Sequence, residues 1–224
     1  MRWLFVFLLS LVITTPHALA QEAPTMGVWT GQLMSIDLDA EKDAGLKVWL
    51  DLHERQMPGS FVAIVRPGIG YDTGKGVSVW AGYGWIPTWD GDTLRNEHRI
   101  WQQAIGKTTV KAVSLMGRLR LEQRFLDGAS KVGHRVRVFA RSGFKLTESY
   151  GLSLWDETFI HLNDTSFSTP GLNQNRAFFG PYIKAEKGWR TEFGYLNLVV
   201  NQGDSLAMSH VLAMNIFIPF TVGK

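Results

Sequence analysis

Through the middle of this chain arginine recurs at every second position, and the residues between are apolar. In Val113–Phe125, Leu115, Leu119, Leu121 and Phe125 share one parity, while Arg118, Arg120, Glu122 and Arg124 share the other. A period of two belongs to a β-strand, whose successive side chains point to opposite faces. The pattern returns as Arg135, Arg137, Phe139 and Arg141 against Val136, Val138 and Ala140. Two neighbouring strands that each carry a charged face and an apolar face predict an all-β fold. The expectation is an antiparallel transmembrane β-barrel of about 10 to 12 strands.

The first residues fit that address. Met1-Arg2-Trp3, an apolar run from Leu4 to Ile13, then Ala18-Leu19-Ala20 is the charged, apolar, small-residue order of a secretory signal peptide. The run falls short of the ~20 apolar residues that span a bilayer as a helix. Residues 1–20 are therefore expected to be a signal peptide and 21–224 the barrel domain. With no cysteine there is no lipidated anchor, no disulfide framework and no thiolate metal site. A net charge of +3 is a mild excess of base and gives no support to nucleic-acid binding. Hydrophobic residues make up 45% of the chain, as in an ordinary soluble protein. A barrel looks that way because only every second strand residue faces lipid.

Turn-like clusters divide the mature chain near Val28–Leu38, Gly45–Glu54, Phe61–Tyr71, Val77–Trp85, Leu94–Ile105, Val113–Phe125, His134–Lys145, Gly151–Asn163, Asn175–Lys184, Trp189–Val200 and Met208–Phe220. Longer connections are expected at Ile86–Thr93, Leu126–Gly133, Asp164–Gln174 and Asn201–Ala207, alternating with tight ones. The odd number of segments conflicts with the even strand counts of bacterial single-chain barrels. Either Val28–Leu38 lies outside the wall, the reading favoured here, or Lys107–Phe125 hides an extra strand. Pro67, Pro181 and Pro219 fall inside predicted strands, where each removes a ladder donor.

If the apolar parity faces lipid, the lumen receives Arg66, Arg95, Arg99, Arg118, Arg120, Arg124, Arg135, Arg137, Arg141, Arg176 and Arg190. The acidic partners on these faces are chiefly Asp51, Glu97, Glu122, Glu157 and Glu192. Guanidinium groups keep their charge and pair bidentately with carboxylates, so cross-strand ion pairs are expected to brace the lumen. Unpaired arginines would leave a positive field that favours small anionic solutes. Tyr83, Trp85, Trp89, Trp189, Phe193 and Tyr195 are the candidate aromatic girdle at the membrane interfaces.

Three other readings are weighed against this one. A soluble barrel or sandwich would reverse the faces, with apolar residues inside and arginine outside. It is disfavoured because a barrel of more than ~8 strands is too wide for side chains to fill as a dry core. An enzyme of the wall needs a serine or other nucleophile beside a histidine. Yet Ser209 and His210 are adjacent and so face opposite ways, and no Gly-x-Ser-x-Gly turn occurs. The chain is therefore read as non-enzymatic. No metal or cofactor is expected, since His53, His98, His134, His161 and His210 are scattered singly. Asp90-Gly91-Asp92 and Asn163-Asp164 read as turn formers rather than calcium ligands.

The ordered set Asn96-Glu97-His98-Arg99-Ile100-Trp101-Gln102-Gln103, Gly117-Arg118-Leu119-Arg120-Leu121-Glu122-Gln123-Arg124-Phe125, Gln174-Asn175-Arg176, Glu192-Phe193-Gly194-Tyr195-Leu196 and His210-Val211-Leu212 resembles the family known as domain of unknown function 2490. The resemblance runs from Gly27-Val28-Trp29-Thr30 to Phe220. It implies an exported Gram-negative outer-membrane barrel and supplies no catalytic or binding residue. The chain departs at Thr221-Val222-Gly223-Lys224, because outer-membrane strands commonly finish on the aromatic itself. The expected product is a monomeric barrel in contact with outer-membrane lipid, placed there by the barrel-insertion machinery. Its expected role is a narrow channel for anionic solutes, with a non-conducting structural or surface-binding barrel and a lipid-modifying barrel as alternatives.

Overall fold

The computed structural model describes residues 20–21, 25–38, 44–185 and 188–221, and none of these is helical. The wall consists of β1 (Thr25–Asp37), β2 (Gly45–Met57), β3 (Ser60–Asp72), β4 (Val77–Asp90), β5 (Thr93–Val110), β6 (Val113–Leu126), β7 (Gly133–Lys145), β8 (Tyr150–His161), β9 (Gly171–Lys184), β10 (Arg190–Asn201) and β11 (Ser205–Thr221). Each strand pairs antiparallel with the next, and β11 closes the cylinder on β1. Ala20 and Gln21 add a short parallel pairing beside Ser205 and Leu206. The rest of the expected leader and the last three residues lie outside the described residues.

The closing pair is parallel, running from Ser209↔Thr25 to Thr221↔Asp37. This corrects the strand-count argument. An even number is forced only if every pair is antiparallel, and one parallel seam closes an odd cylinder. The segment read as lying outside the wall is β1, and Lys107–Val110 extends β5 to a turn at Lys111-Ala112 instead of hiding another strand. The expected long loop at Ile86–Thr93 is also strand: β4 continues to Asp90 and turns at Gly91-Asp92, with Gly91 in the left-handed region (φ 58°). The longer connections at that rim are residues 127–132 and 162–170. This end is called the loop rim, and the opposite end the turn rim.

Strand tilt follows from the registers. One row of paired residues starts at Asp37 on the turn rim, passes Lys47, Gly70, Trp80, Gln103, Arg120, Arg137, Phe159, Gln174 and Val200, and reaches Ala207 at the loop rim of the seam. A row that climbs the whole wall in one circuit means strongly inclined strands, as closure of a barrel requires. Pro67, Pro87 and Pro181 are absorbed where the ladder opens, whereas Pro219 stays in register opposite Ser35. Between β3 and β4 the pairings opposite Pro67 and Pro87 are missing. Beside Pro181 the β9–β10 ladder skips from Phe179↔Tyr195 to Tyr182↔Glu192. There Gly180 and Gly194 approach so closely that a Cβ on Gly180 would lie 2.2 Å from the Phe193 carbonyl oxygen.

The two faces settle inside from outside. Leu46, Ile69, Val79, Leu119, Phe179, Ile183, Leu212 and Phe220 are exposed, whereas Arg66, Arg99, Arg120, Arg135, Arg137 and Arg176 are buried. A soluble fold would do the opposite, since contiguous apolar surface of this extent is costly in water. The exposed wall is a surface for lipid, and the chain is a membrane barrel with a polar interior.

Candidate functional site in the barrel lumen

Strands β5 to β8 turn their charged parity inward and meet in a continuous ladder. Arg99 donates to Glu97 through Nε and Nη2 (2.7 and 2.9 Å), and Arg124 grips the same carboxylate at 2.6 and 3.0 Å. Glu122, wholly buried, accepts from Arg135 Nε at 3.0 Å and from Arg137 Nη1 at 2.7 Å. Arg137 also donates to Glu157 (3.0 and 2.7 Å), which Arg118 joins and Arg176 approaches at 3.6 Å. Nearer the turn rim, Glu192 accepts from Arg190 (2.6 Å), Ser153 (2.8 Å) and Arg141 (3.4 Å). Across the lumen Asp51 holds Arg66 and His53. Every arginine and glutamate expected in the lumen stands on the inward parity. Arg95 is placed at the rim, where it pairs with Asp90.

The midsection is filled by side chains. Trp101 lies flat across Gly68 and Gly82, where an added Cβ would come within 2.5 and 2.4 Å of its ring. Its Nε1 donates to the Tyr83 carbonyl at 3.0 Å, and the Arg120 guanidinium sits 4.7 Å above it while donating to Gln103. Phe159 is held between Arg137 and Arg176, at 4.6 and 4.3 Å from its centroid. Trp101, Arg120, Glu122 and Phe159 are at most 1% exposed, so side chains pack closely at their level.

Above this plug a cavity of about 290 Å³ opens at the loop rim. Arg55, Arg66, Arg99, Arg124, Arg135, Arg137 and Arg176 line it, with Glu97 and His161. Phe167, from the 162–170 connection, also lines it, against Gly133 and 5.1 Å from Arg124. Asn163 ties that connection down, accepting from His134 N (2.7 Å) and donating to the Val132 carbonyl (2.9 Å). Arg124 reaches His161 Nε2 at 3.2 Å, and His161 Nδ1, buried, has no hydrogen-bond partner among the described residues. Arg55 stacks 4.4 Å over Trp29 and pairs with no carboxylate among the described residues. Sequence reasoning missed Arg55, although it shares parity with Asp51 and His53 on β2.

The candidate girdle residues all lie exposed on the outer face. Tyr83, Trp85 and Trp89 climb β4 toward the loop rim, and Trp189 lies at the turn rim. Phe193 and Tyr195 run up β10 toward mid-wall rather than marking one interface. Polar groups accompany the upper set: the Tyr83 hydroxyl bonds His98 Nδ1, and Trp85 Nε1 donates to Asn96 at 3.1 Å. Among the described residues no cluster of three or more histidine or acidic side chains suits a metal ion.

Fold and faces define a barrel of the outer-membrane type, with a charged and largely filled lumen. The chain belongs to the family described as Protein of unknown function (DUF2490), whose model matches residues 26–208. An uncharacterized protein of Methylorubrum extorquens is 30% identical over 164 residues, covering 70% of this chain and 72% of that protein. Among solved structures, LpxR from Salmonella typhimurium superposes with a TM-score of 0.45 at 7% identity, over 81% of this chain and 85% of that one. The expectation that this chain is non-enzymatic does not stand. A likeness this distant assigns neither a reaction nor a residue to this chain.

Proposed function

We propose that this is an outer-membrane barrel whose loop-rim vestibule captures small anionic solutes, with the ion-paired plug beneath limiting their passage. The observation that carries the reading is the excess of arginine around the vestibule, above all Arg55, which stacks on Trp29 and forms no ion pair with a carboxylate among the described residues. Inside a low-dielectric wall such a charge is poorly screened and draws anions. Arg176 supports it, because its nearest carboxylate, on Glu157, is 3.6 Å away and already engaged by Arg137 and Arg118. His161 Nδ1 offers a further polar group to an occupant.

The plug predicts small conductance, since ions must pass the closely packed level of Arg120, Glu122, Trp101 and Phe159. The test is planar-bilayer recording of the refolded mature protein with chloride and with inorganic phosphate. Small anion-selective steps that phosphate blocks are expected. Arg55→Gln with Arg176→Gln should abolish the block while the barrel keeps its heat-modifiable migration. Arg120 and Arg137 suit the test poorly, because both are buried in the plug. A folded barrel that shows neither selectivity nor phosphate binding overturns the reading.

A further inference from the structure

The vestibule holds more positive charge than one small anion can balance. Seven arginines line it, and Arg118 and Arg120 extend the cluster beneath. The carboxylates set among them, in the described residues, are Asp51, Glu97, Glu122 and Glu157. Nine guanidinium groups against four carboxylates leave five positive charges in excess. Arginine cannot shed its charge, so the balance must come from anions in solution.

Four of these arginines also keep hydrogen-bonding capacity in hand. Arg99 gives Nε and Nη2 to Glu97, and Arg135 gives the same two atoms to Glu122. The Nη1 of each has no hydrogen-bond partner among the described residues. Arg55 and Arg176 are held by rings instead, 4.4 and 4.9 Å from the Trp29 centroid, and Arg176 also lies 4.3 Å from that of Phe159. Stacking fixes a guanidinium plane and leaves its N–H edge for an oxyanion. The cavity of about 290 Å³ has room for about ten water volumes, so a single phosphate leaves much of it empty. Two separate anions there would repel each other, and each would lose its own freedom of motion. Two anionic groups on one solute lose that freedom once.

Resting on the anion-capture reading and narrowing it, we propose that the occupant is a multiply charged phosphate compound whose minimal form is a diphosphate. One phosphoryl group takes the edges of Arg55 and Arg176, and the other takes the Nη1 groups of Arg99 and Arg135. Phosphoryl oxygens suit this set, because each phosphoryl group presents several acceptors to guanidinium N–H donors and forms charge-assisted hydrogen bonds with them.

The probe is inorganic pyrophosphate, titrated calorimetrically into the refolded mature barrel in detergent, beside inorganic phosphate at matched ionic strength. One site per barrel is expected, at least about tenfold tighter for pyrophosphate. Saturating pyrophosphate should also raise the urea midpoint, because it binds the folded form alone. Arg55→Gln, which breaks no ion pair among the described residues, should weaken pyrophosphate several-fold. Adding Arg176→Gln should bring it to the level of phosphate, in a barrel that keeps its heat-modifiable migration. Arg95→Gln removes the same charge from the rim, where Arg95 pairs with Asp90, and should bind as the parent does. Equal affinity for the two anions overturns the proposal and leaves the capture of small anions standing. A loss in Arg95→Gln as large as in Arg55→Gln also overturns it, since attraction to net charge would then suffice. Binding of neither anion sinks both readings. Tight pyrophosphate in a barrel without anion-selective current sustains this proposal and removes only the conducting role.

Discussion

The two sides of the lumen fill one space by different means. On β5 to β8 the inward positions hold Arg99, Arg120, Glu122, Arg135, Arg137 and Glu157, joined by hydrogen bonds across strands. On β9 to β11 and β1 they hold Phe178, Leu196, Leu198, Val211, Ala213 and Trp29, a packed apolar cluster. The contrast teaches where the barrel is brittle. A desolvated charge depends on its partner, and losing one member strands the others. An apolar contact loses only its own area and the cavity left behind.

The largest effect is therefore expected at Glu122→Gln. The substitution preserves shape but leaves Arg135 without its carboxylate and Arg137 with Glu157 alone. Breaking a buried pair costs about 3–5 kcal/mol. The readout is the urea midpoint for loss of the heat-modifiable folded form in detergent, which should fall well below that of the parent. A midpoint equal to the parent's would mean that water reaches the ladder and screens it, and the distinction between the two sides would collapse.

On the apolar side Leu196→Ala should cost about 2–4 kcal/mol, the usual range for a buried leucine whose surroundings relax only in part. It should leave ion preference unchanged, because Leu196 packs with Phe178 and Val211 and its truncation removes no charge from the lumen. A change of selectivity in Leu196→Ala, measured in the same bilayers, would show that the apolar wall borders the anion path after all.

The same contrast explains what the sequence made legible. Strands β6 and β7 announce their faces because one parity is charged and the other apolar, and they oriented the whole barrel. Strands β10 and β11 are apolar on both parities, with Leu196, Leu198 and Val211 inward and Phe193, Leu212 and Met214 outward. Period two cannot choose a face there. The seam was hidden for another reason: parallel closure is a property of the circuit, and no local pattern in β1 or β11 encodes it. The strand that replaces the expected Ile86–Thr93 loop was obscured by Pro87, Asp90 and Gly91, which read as turn residues. Only Gly91 and Asp92 form the turn. Arg55 was passed over because Glu54 and Gln56 beside it blur the alternation at the end of β2. His161 resembles any lone strand histidine until Arg124 and Phe167 are brought to it across the lumen.

The smallest effect is expected at Arg95, and it sharpens the comparison from the charged side. Arg95 shares its parity with Glu97 and Arg99 on β5, so by pattern it belongs to the ladder. It sits at the first turn of that strand instead, paired with Asp90, with side chains 56% and 40% exposed. Water already solvates both groups, so the pair gains little and loses little, typically ~0–1 kcal/mol. Arg95→Ala should leave the urea midpoint within error of the parent, and so should the double variant with Asp90→Ala. A substantial loss in the single variant, restored in the double, would place a stranded Asp90 carboxylate in a dry environment. The buried ladder would then extend to the rim, and depth along the strand, rather than parity, would cease to divide structural arginines from solvated ones.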